Sequence, residues 1–182
     1  MSILKIARLG HPILQKKSSI VKKISHPLIK QLINDMTETM LDAKGVGLAA
    51  PQVHISKQVI IFRIPKSEEE EENNTIEITA LINPKISKIS EETDTQWEGC
   101  LSIPGMTGLV KRYSKINYEG FDMKGNLIKK EAEGLHARIV QHEFDHLKGM
   151  LYLNRLVDIR AFGFVNEIEE YFAHSQKGSS AM

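Results

Sequence analysis

The densest run of chemistry-bearing side chains is His142-Glu143-Phe144-Asp145-His146. Histidines four apart on a helix project from one face with their β-carbons about 5–6 Å apart, so both imidazoles can share a metal ion. Glu143 follows the first histidine, where a carboxylate reaches a metal-bound water without entering the coordination sphere. That is a general-base position. The plain alternative is a chance pattern on a polar helix face. A catalytic metal of this kind takes three protein ligands and keeps a fourth position open, so a third donor has to come from elsewhere. Cys100 is the best candidate, although a lone cysteine is more commonly a small buried hydrophobe. It sits in Glu98-Gly99-Cys100-Leu101-Ser102, where Gly99 leaves room for another backbone to pass close by. As a thiolate, Cys100 would stabilise a soft or borderline divalent ion. Glu98 also reads as a surface or strand-pairing charge.

A third segment, Gly45-Val46-Gly47-Leu48-Ala49-Ala50-Pro51-Gln52, superficially invites a phosphate-loop reading. It lacks the Lys-Ser/Thr ending of such a loop and follows a helical pattern instead of joining a strand to a helix. Its small residues fit close backbone packing in a Gly-rich bend. Gln52 offers an uncharged amide that can donate to an oxygen, or simply faces solvent.

These segments need elements to hold them. Leu28, Leu32, Met36 and Met40, with Ile29 and Ile33 beside them, form the stripe of an amphipathic helix within residues 26–44, with Pro27 in its first turn and Gly45 as its stop. Residues 58–64 and 76–82 are rich in β-branched and apolar side chains and read as paired strands. The Glu68–Glu72 run between them repels itself and buries nothing, so 66–75 reads as a solvated loop. Further short strands follow through residue 134, punctuated by Gly, Pro and Asp. Helical spacing returns over residues 135–149, with Gly149 as a stop. From Asp158 the spacing of Ala161, Phe164, Val165, Ile168 and Phe172 predicts a terminal helix, and residues 175–182 read as a frayed tail. The order predicts a single α+β domain over 1–182: short, mostly antiparallel strands around a central metal-binding helix, with a helix towards each end.

Composition sets the outer bounds. The 182 residues suit one domain, and 41% apolar with 26% charged residues is ordinary for a globular protein. Lys and Arg total 24 against 23 for Asp and Glu, so no long-range field favours a polyanion. Direct nucleic-acid reading gains no support. The start, MSILKIARLG, is too short an apolar run for a signal peptide, and no window approaches a bilayer span. A cytoplasmic protein, with no membrane association, is expected.

The three segments, in this order, resemble the signature of peptide deformylases: GxGxAAxQ as Gly45 to Gln52, EGCxS as Glu98 to Ser102, and QHExDH as Gln141 to His146. The resemblance runs from the RLGHPIL start to the helix after HLKGMLYLNRL. It implies Cys100, His142 and His146 as metal ligands and Glu143 as the proton carrier. Gln52 through its side chain and Leu101 through its backbone N–H would bind the formyl oxygen. Val46, Gly47 and Gly99 would lie along the peptide backbone. Leu135 and Ile139, one turn apart ahead of His142, serve equally as walls of a methionine slot or as plain core. The implied cofactor is one divalent metal ion per chain, Fe2+ in the cell, with Zn2+, Ni2+ or Co2+ able to occupy the same site. The implied partners are N-formylmethionyl nascent peptides, with transient ribosome association. Removal of the N-formyl group, with release of formate, is the activity that follows.

Some features depart from that pattern. Thr107 stands where relatives often carry a substrate-contacting arginine, and Arg138 occupies a helix position that is apolar in some of them, as a slot rim or a structural ion pair. A basic C-terminal helix docks some members on the ribosome, whereas FVNEIEEYFAH is acidic. His11, His26, His54, His136 and His174 lack ligand-spaced partners and read as surface or capping residues. Trp97 reads as core. Two other functions share part of the pattern. A HExxH-type zinc endopeptidase uses the same base but takes its third ligand downstream, and a non-catalytic relative would keep the metal as a staple.

Overall fold

The computed structural model describes residues 2–65 and 77–170. The predicted loop 66–75, the tail 175–182, Phe172 and His174 lie outside the described residues.

Two antiparallel sheets and two helices frame the domain. The larger sheet has strand order β1-β2-β3-β6-β7, and the smaller β4-β5-β8. Their spans are β1 Gly47–Ala49, β2 Val59–Arg63, β3 Ile78–Lys88, β4 Thr93–Cys100, β5 Ile103–Tyr113, β6 Lys115–Phe121, β7 Leu127–Glu133 and β8 Phe162–Phe164. The helices are α1, Pro27–Asp42, and α2, Gly134–Leu147. The predicted pairing of the second and third strands is present, with Ile60 opposite Leu81. The expected Gly-rich bend is instead strand β1 running straight into a 3-10 turn, Ala50–Val53.

β2 explains how two helices share one sheet. Successive strand side chains point to opposite faces. Ile60 and Phe62 join Ala137, Ile139 and Val140 of α2 in one core. Val59 and Ile61 join Ile33, Met36 and Met40 of α1 in another. An unbroken apolar run is what a strand covered on both faces requires. A third cluster, with Leu14, Ile103, Val110, Leu151 and Tyr152, fills the space under the smaller sheet.

The helix ends follow local chemistry. His26 caps α1 by accepting the Leu28 N–H on Nδ1, as its place before Pro27 suggests. Leu28, however, is 65% exposed and is no part of the buried stripe. The left-handed residue after α1 is Lys44 (φ 54°), not Gly45. The bonds Lys44 N–H to Leu41 O and Gly45 N–H to Met40 O complete a Schellman cap. α2 ends the same way on Gly149 (φ 74°), with Gly149 N–H to His146 O and Met150 N–H to Asp145 O.

The terminal helix begins later than the spacing predicts. Ile159–Ala161 form a 3-10 turn, Phe162–Phe164 form β8, and helix occupies 165–170. Backbone pairing with β5 captures Phe164, which helical periodicity had claimed.

A β-carbon at Gly149 would lie 2.6 Å from the carbonyl carbon and oxygen of Gln15. Gly149→Ala therefore combines a left-handed strain of about 1–3 kcal/mol with a backbone clash. Its urea midpoint should fall with the slope of the transition unchanged.

Candidate metal centre

The end of β4 and the C-terminal half of α2 bring three donors together. One ligating atom each from Cys100, His142 and His146 lies within 4.8 Å of the other two. Cys100 Sγ is 3.4 Å from His146 Nε2. One thiolate and two imidazoles, so gathered, fit a borderline divalent cation by donor chemistry and by spacing.

His142 is oriented from behind. Its Nδ1 lies 2.9 Å from Glu98 Oε2, so an Nδ1–H donated to the carboxylate leaves Nε2 as the lone-pair donor. Glu98 is thus neither a surface nor a strand-pairing charge. It is buried, and takes bonds from Arg112 Nε and Nη2, both at 2.9 Å, and from Arg138 Nη1 at 2.7 Å. Burial pushes the Glu98 carboxyl up, but hydrogen bonds from Arg112 and His142 outweigh it and hold it well below the usual carboxylate range. Arg112 continues to Asp145, which Arg155 clasps with two bonds of 3.0 and 2.9 Å. Arg138 also bonds Val110 O and Asp94 O, so it is a structural ion pair more than a slot rim.

Glu143 stands apart from this network. It is buried, and its Oε2 has no hydrogen-bond partner among the described residues. Burial pushes its carboxyl up to about 7, against the pull of His142. A carboxyl poised there suits a proton carrier at neutral pH. Gly47 supplies its space: a β-carbon on Gly47 would lie 2.2 Å from Glu143 Oε1. His146 is also buried, with Nδ1 unpartnered among the described residues, and burial lowers its pKa well below the ordinary value.

Gln52 is buried, not solvent-facing. Its Oε1 accepts the Ala49 N–H at 2.8 Å, which turns Nε2 towards Ser102 Oγ at 3.1 Å and Cys100 Sγ at 3.5 Å. The amide's donor end therefore faces the donor cluster. The N-terminal segment fastens this corner through Ala7 N–H to Gln52 O and Leu9 N–H to Ser102 O. Arg63 fastens the other side, with Nε bonded to Gly45 O and its N–H to Val46 O.

A cleft of about 530 Å³ opens on this cluster, lined by Val46, Gly47, Gln52, Gly99, Leu101 and Glu143 among others. Leu135 and Ile139 line it too. Leu135 is 49% exposed and is not core, whereas Ile139 is 5% exposed and belongs to both core and cleft. Trp97, read as core, is 37% exposed at the cleft edge, because Glu98 takes the inward-facing position of β4. Thr107 donates its hydroxyl to Glu98 O at 3.1 Å, inside the sheet. His136 is half-buried beside the Tyr118 hydroxyl at 3.3 Å. The residues to which sequence reasoning gave no role are Arg63, Ser102, Arg112, Asp145 and Arg155. The signal was faint: Arg112 and Arg155 look like any surface cation until the burial of Arg112 and the carboxylate partners of both are known.

Comparison with known proteins decides the family, since residues 3–161 match the family described as polypeptide deformylase. The chain belongs to the polypeptide deformylase family. Peptide deformylase 1 of Bordetella pertussis is 45% identical over 159 residues, 87% of this chain and 90% of that protein. The peptide deformylase structure from Thermotoga maritima matches with a TM-score of 0.76 at 36% identity, covering 86% of this chain and 99% of that one. A class I type b peptide deformylase from Acinetobacter baumannii, solved with Met-Ala-Ser bound, matches at 0.77 and 35% identity over 85% and 98% of the two chains. The chain is thus an enzyme of a metal-dependent family, with the α+β fold expected. The endopeptidase and staple readings are not favoured. No helix among the described residues is long and apolar enough to cross a membrane.

Two substitutions probe the geometry. Gly47→Ala drives a methyl into the Glu143 carboxylate and should lower turnover on the order of 100-fold with metal content retained, read by kinetics and metal analysis together. Glu98→Gln leaves Arg112 and Arg138 without their shared anion. It should cost about 3–5 kcal/mol of stability and weaken metal binding roughly 10–100-fold, measured by unfolding and chelator competition.

Proposed function

We propose that this chain removes the formyl group from N-formylmethionyl nascent peptides, with Cys100, His142 and His146 holding one divalent ion, Fe2+ in the cell and exchangeable for Zn2+, Ni2+ or Co2+. The observation that carries the reading is Glu143. It is a buried carboxyl with an unpartnered oxygen, beside a Cys-His-His donor set, in a cleft that also presents the Gln52 amide. A bound ion of this kind supplies Lewis acidity, lowering the pKa of water and opposing negative charge on a carbonyl oxygen.

The chain's residues divide the remaining work. Glu143 accepts a proton from the water that attacks the formyl carbon. Charge then grows on the formyl oxygen, and the Gln52 Nε2 and the Leu101 N–H donate to it. Glu143 returns the proton to the leaving nitrogen, the carbon–nitrogen bond breaks, and formate and a free amine result. Val46, Gly47 and Gly99 lie along the extended peptide backbone, and Leu135 and Ile139 border the methionine side chain.

A cytoplasmic location agrees with formylated nascent chains as substrate. The acidic stretch at 167–170 gives no support to ribosome docking by that helix.

An assay for released formate tests the reading directly. Formyl-Met peptides should be turned over and internal peptide bonds left intact. Glu143→Ala should keep its metal and lose nearly all turnover; normal activity in that variant would refute the proton role. Gln52→Ala should lose on the order of 10²–10³ in rate. Cys100→Ser should change metal content, and an unaltered content would remove Cys100 from the site.

A further inference from the structure

A second cleft, of about 840 Å³, opens on a different face of α2 and shares no lining residue with the cleft at the metal centre. Gln141, Phe144, Asp145 and Lys148, at helical spacing, form one wall, and the end of β5 with the stretch after α2 forms another. The buried Arg112 and Asp145 make its floor. Its charge is one-sided. Lys88, Lys111, Lys148 and Arg155 also line it, and the carboxylates among its lining residues are already engaged. Glu91 is paired with Lys88, and Asp145 is shared between Arg112 and Arg155. Lys111 and Lys148 are exposed and have no carboxylate partner among the described residues.

These cations are arranged, not scattered. The antiparallel bridge between Val110 and Leu156 places Lys111 and Arg155 side by side, an arrangement that like charges disfavour unless an anion joins them. Lys148 lies over the Phe144 ring at 4.4 Å and Lys88 over the Tyr113 ring at 5.5 Å, contacts that hold an ammonium in place without neutralising it. Arg155 is fixed by its Nε and Nη2 bonds to Asp145, which leaves Nη1 unengaged among the described residues. The whole chain carries a net charge of only +1, so the excess of cations here is local. Two unneutralised ammoniums beside a fixed guanidinium match a dianion with several acceptor oxygens, where a carboxylate would bring half that charge. The cleft has room for more than a bare ion, and Tyr113, 37% exposed, offers an aromatic face to whatever the anion carries.

We propose that this cleft binds a phosphate dianion, free or as the monoester of a small molecule, between Lys111, Lys148 and Arg155. The site does not depend on the deformylase reading of the other cleft. It lies against the ion pairs that run from Arg155 through Asp145 and Arg112 to Glu98 and His142.

The test titrates the zinc-loaded full chain with inorganic phosphate and with phenyl phosphate, following backbone amide shifts by NMR. Saturable shifts are expected at Lys111, Phe144, Lys148 and Arg155, with affinity falling as salt rises. The double variant Lys111→Gln, Lys148→Gln changes only exposed side chains. It should bind roughly tenfold or more weakly, since each lysine supplies a charge-assisted bond, and should melt as the wild type does in phosphate-free buffer. Tighter binding of phenyl phosphate would identify a monoester as the ligand, and equal or tighter binding of inorganic phosphate the free ion. Absence of saturable shifts, shifts confined to Gln52, Cys100 and Leu101 at the metal centre, or undiminished affinity in the folded double variant would each overturn the site. Should the double variant misfold, the two single replacements take its place, with weaker binding expected and unchanged affinity in both overturning the site.

Discussion

The Glu98 carboxylate sits where three demands meet. It fixes the ring of His142, neutralises Arg112 and Arg138, and ties β4 to the middle of α2. Removing a carboxylate from water is costly, and an isolated one here would take up a proton. Two guanidiniums offset that cost with geometrically matched bonds, so the group stays ionised and the His142 tautomer is held. Arg112 bridges on to Asp145, three residues after His142 on α2. The helix bearing two donors and the strand bearing the third are therefore held in register by charge as well as by packing.

Around that network the chemistry is kept apart by burial. Glu98 and Glu143 line the same cleft and are both buried, yet one is held ionised by cations and the other is raised towards neutrality. Two carboxyls with opposed environments suit two different tasks. Gly47 contributes by lacking a side chain, since a β-carbon there would fall on the Glu143 carboxylate and displace it. Gln52 is turned the useful way by a backbone N–H from its own segment.

Much of the site was legible because its determinants are local. Helical spacing alone makes His142 and His146 neighbours, and Glu143 between them inherits its place. The β-branched, apolar composition of β2 and the cap signals of α1 and α2 are likewise local, and the structure bears them out apart from shifts of a residue or two. Trp97 and the start of the terminal helix were misread for a common reason. Each depends on a partner distant in sequence: Glu98 takes the inward place on β4 because Arg112 and Arg138 await it, and β8 forms because β5 offers an edge.

By itself the sequence determined the spacing of the imidazoles, the strand and helix periods and the three motif segments that carry the family resemblance, since all of these arise within short stretches of chain. Only the tertiary structure decided that Cys100 meets the histidines, which residues neutralise Glu98, and that Val165 reaches the cleft. Those outcomes depend on contacts between segments dozens of residues apart, and on whether water is excluded when they meet. Neither is encoded in the spacing of any one segment.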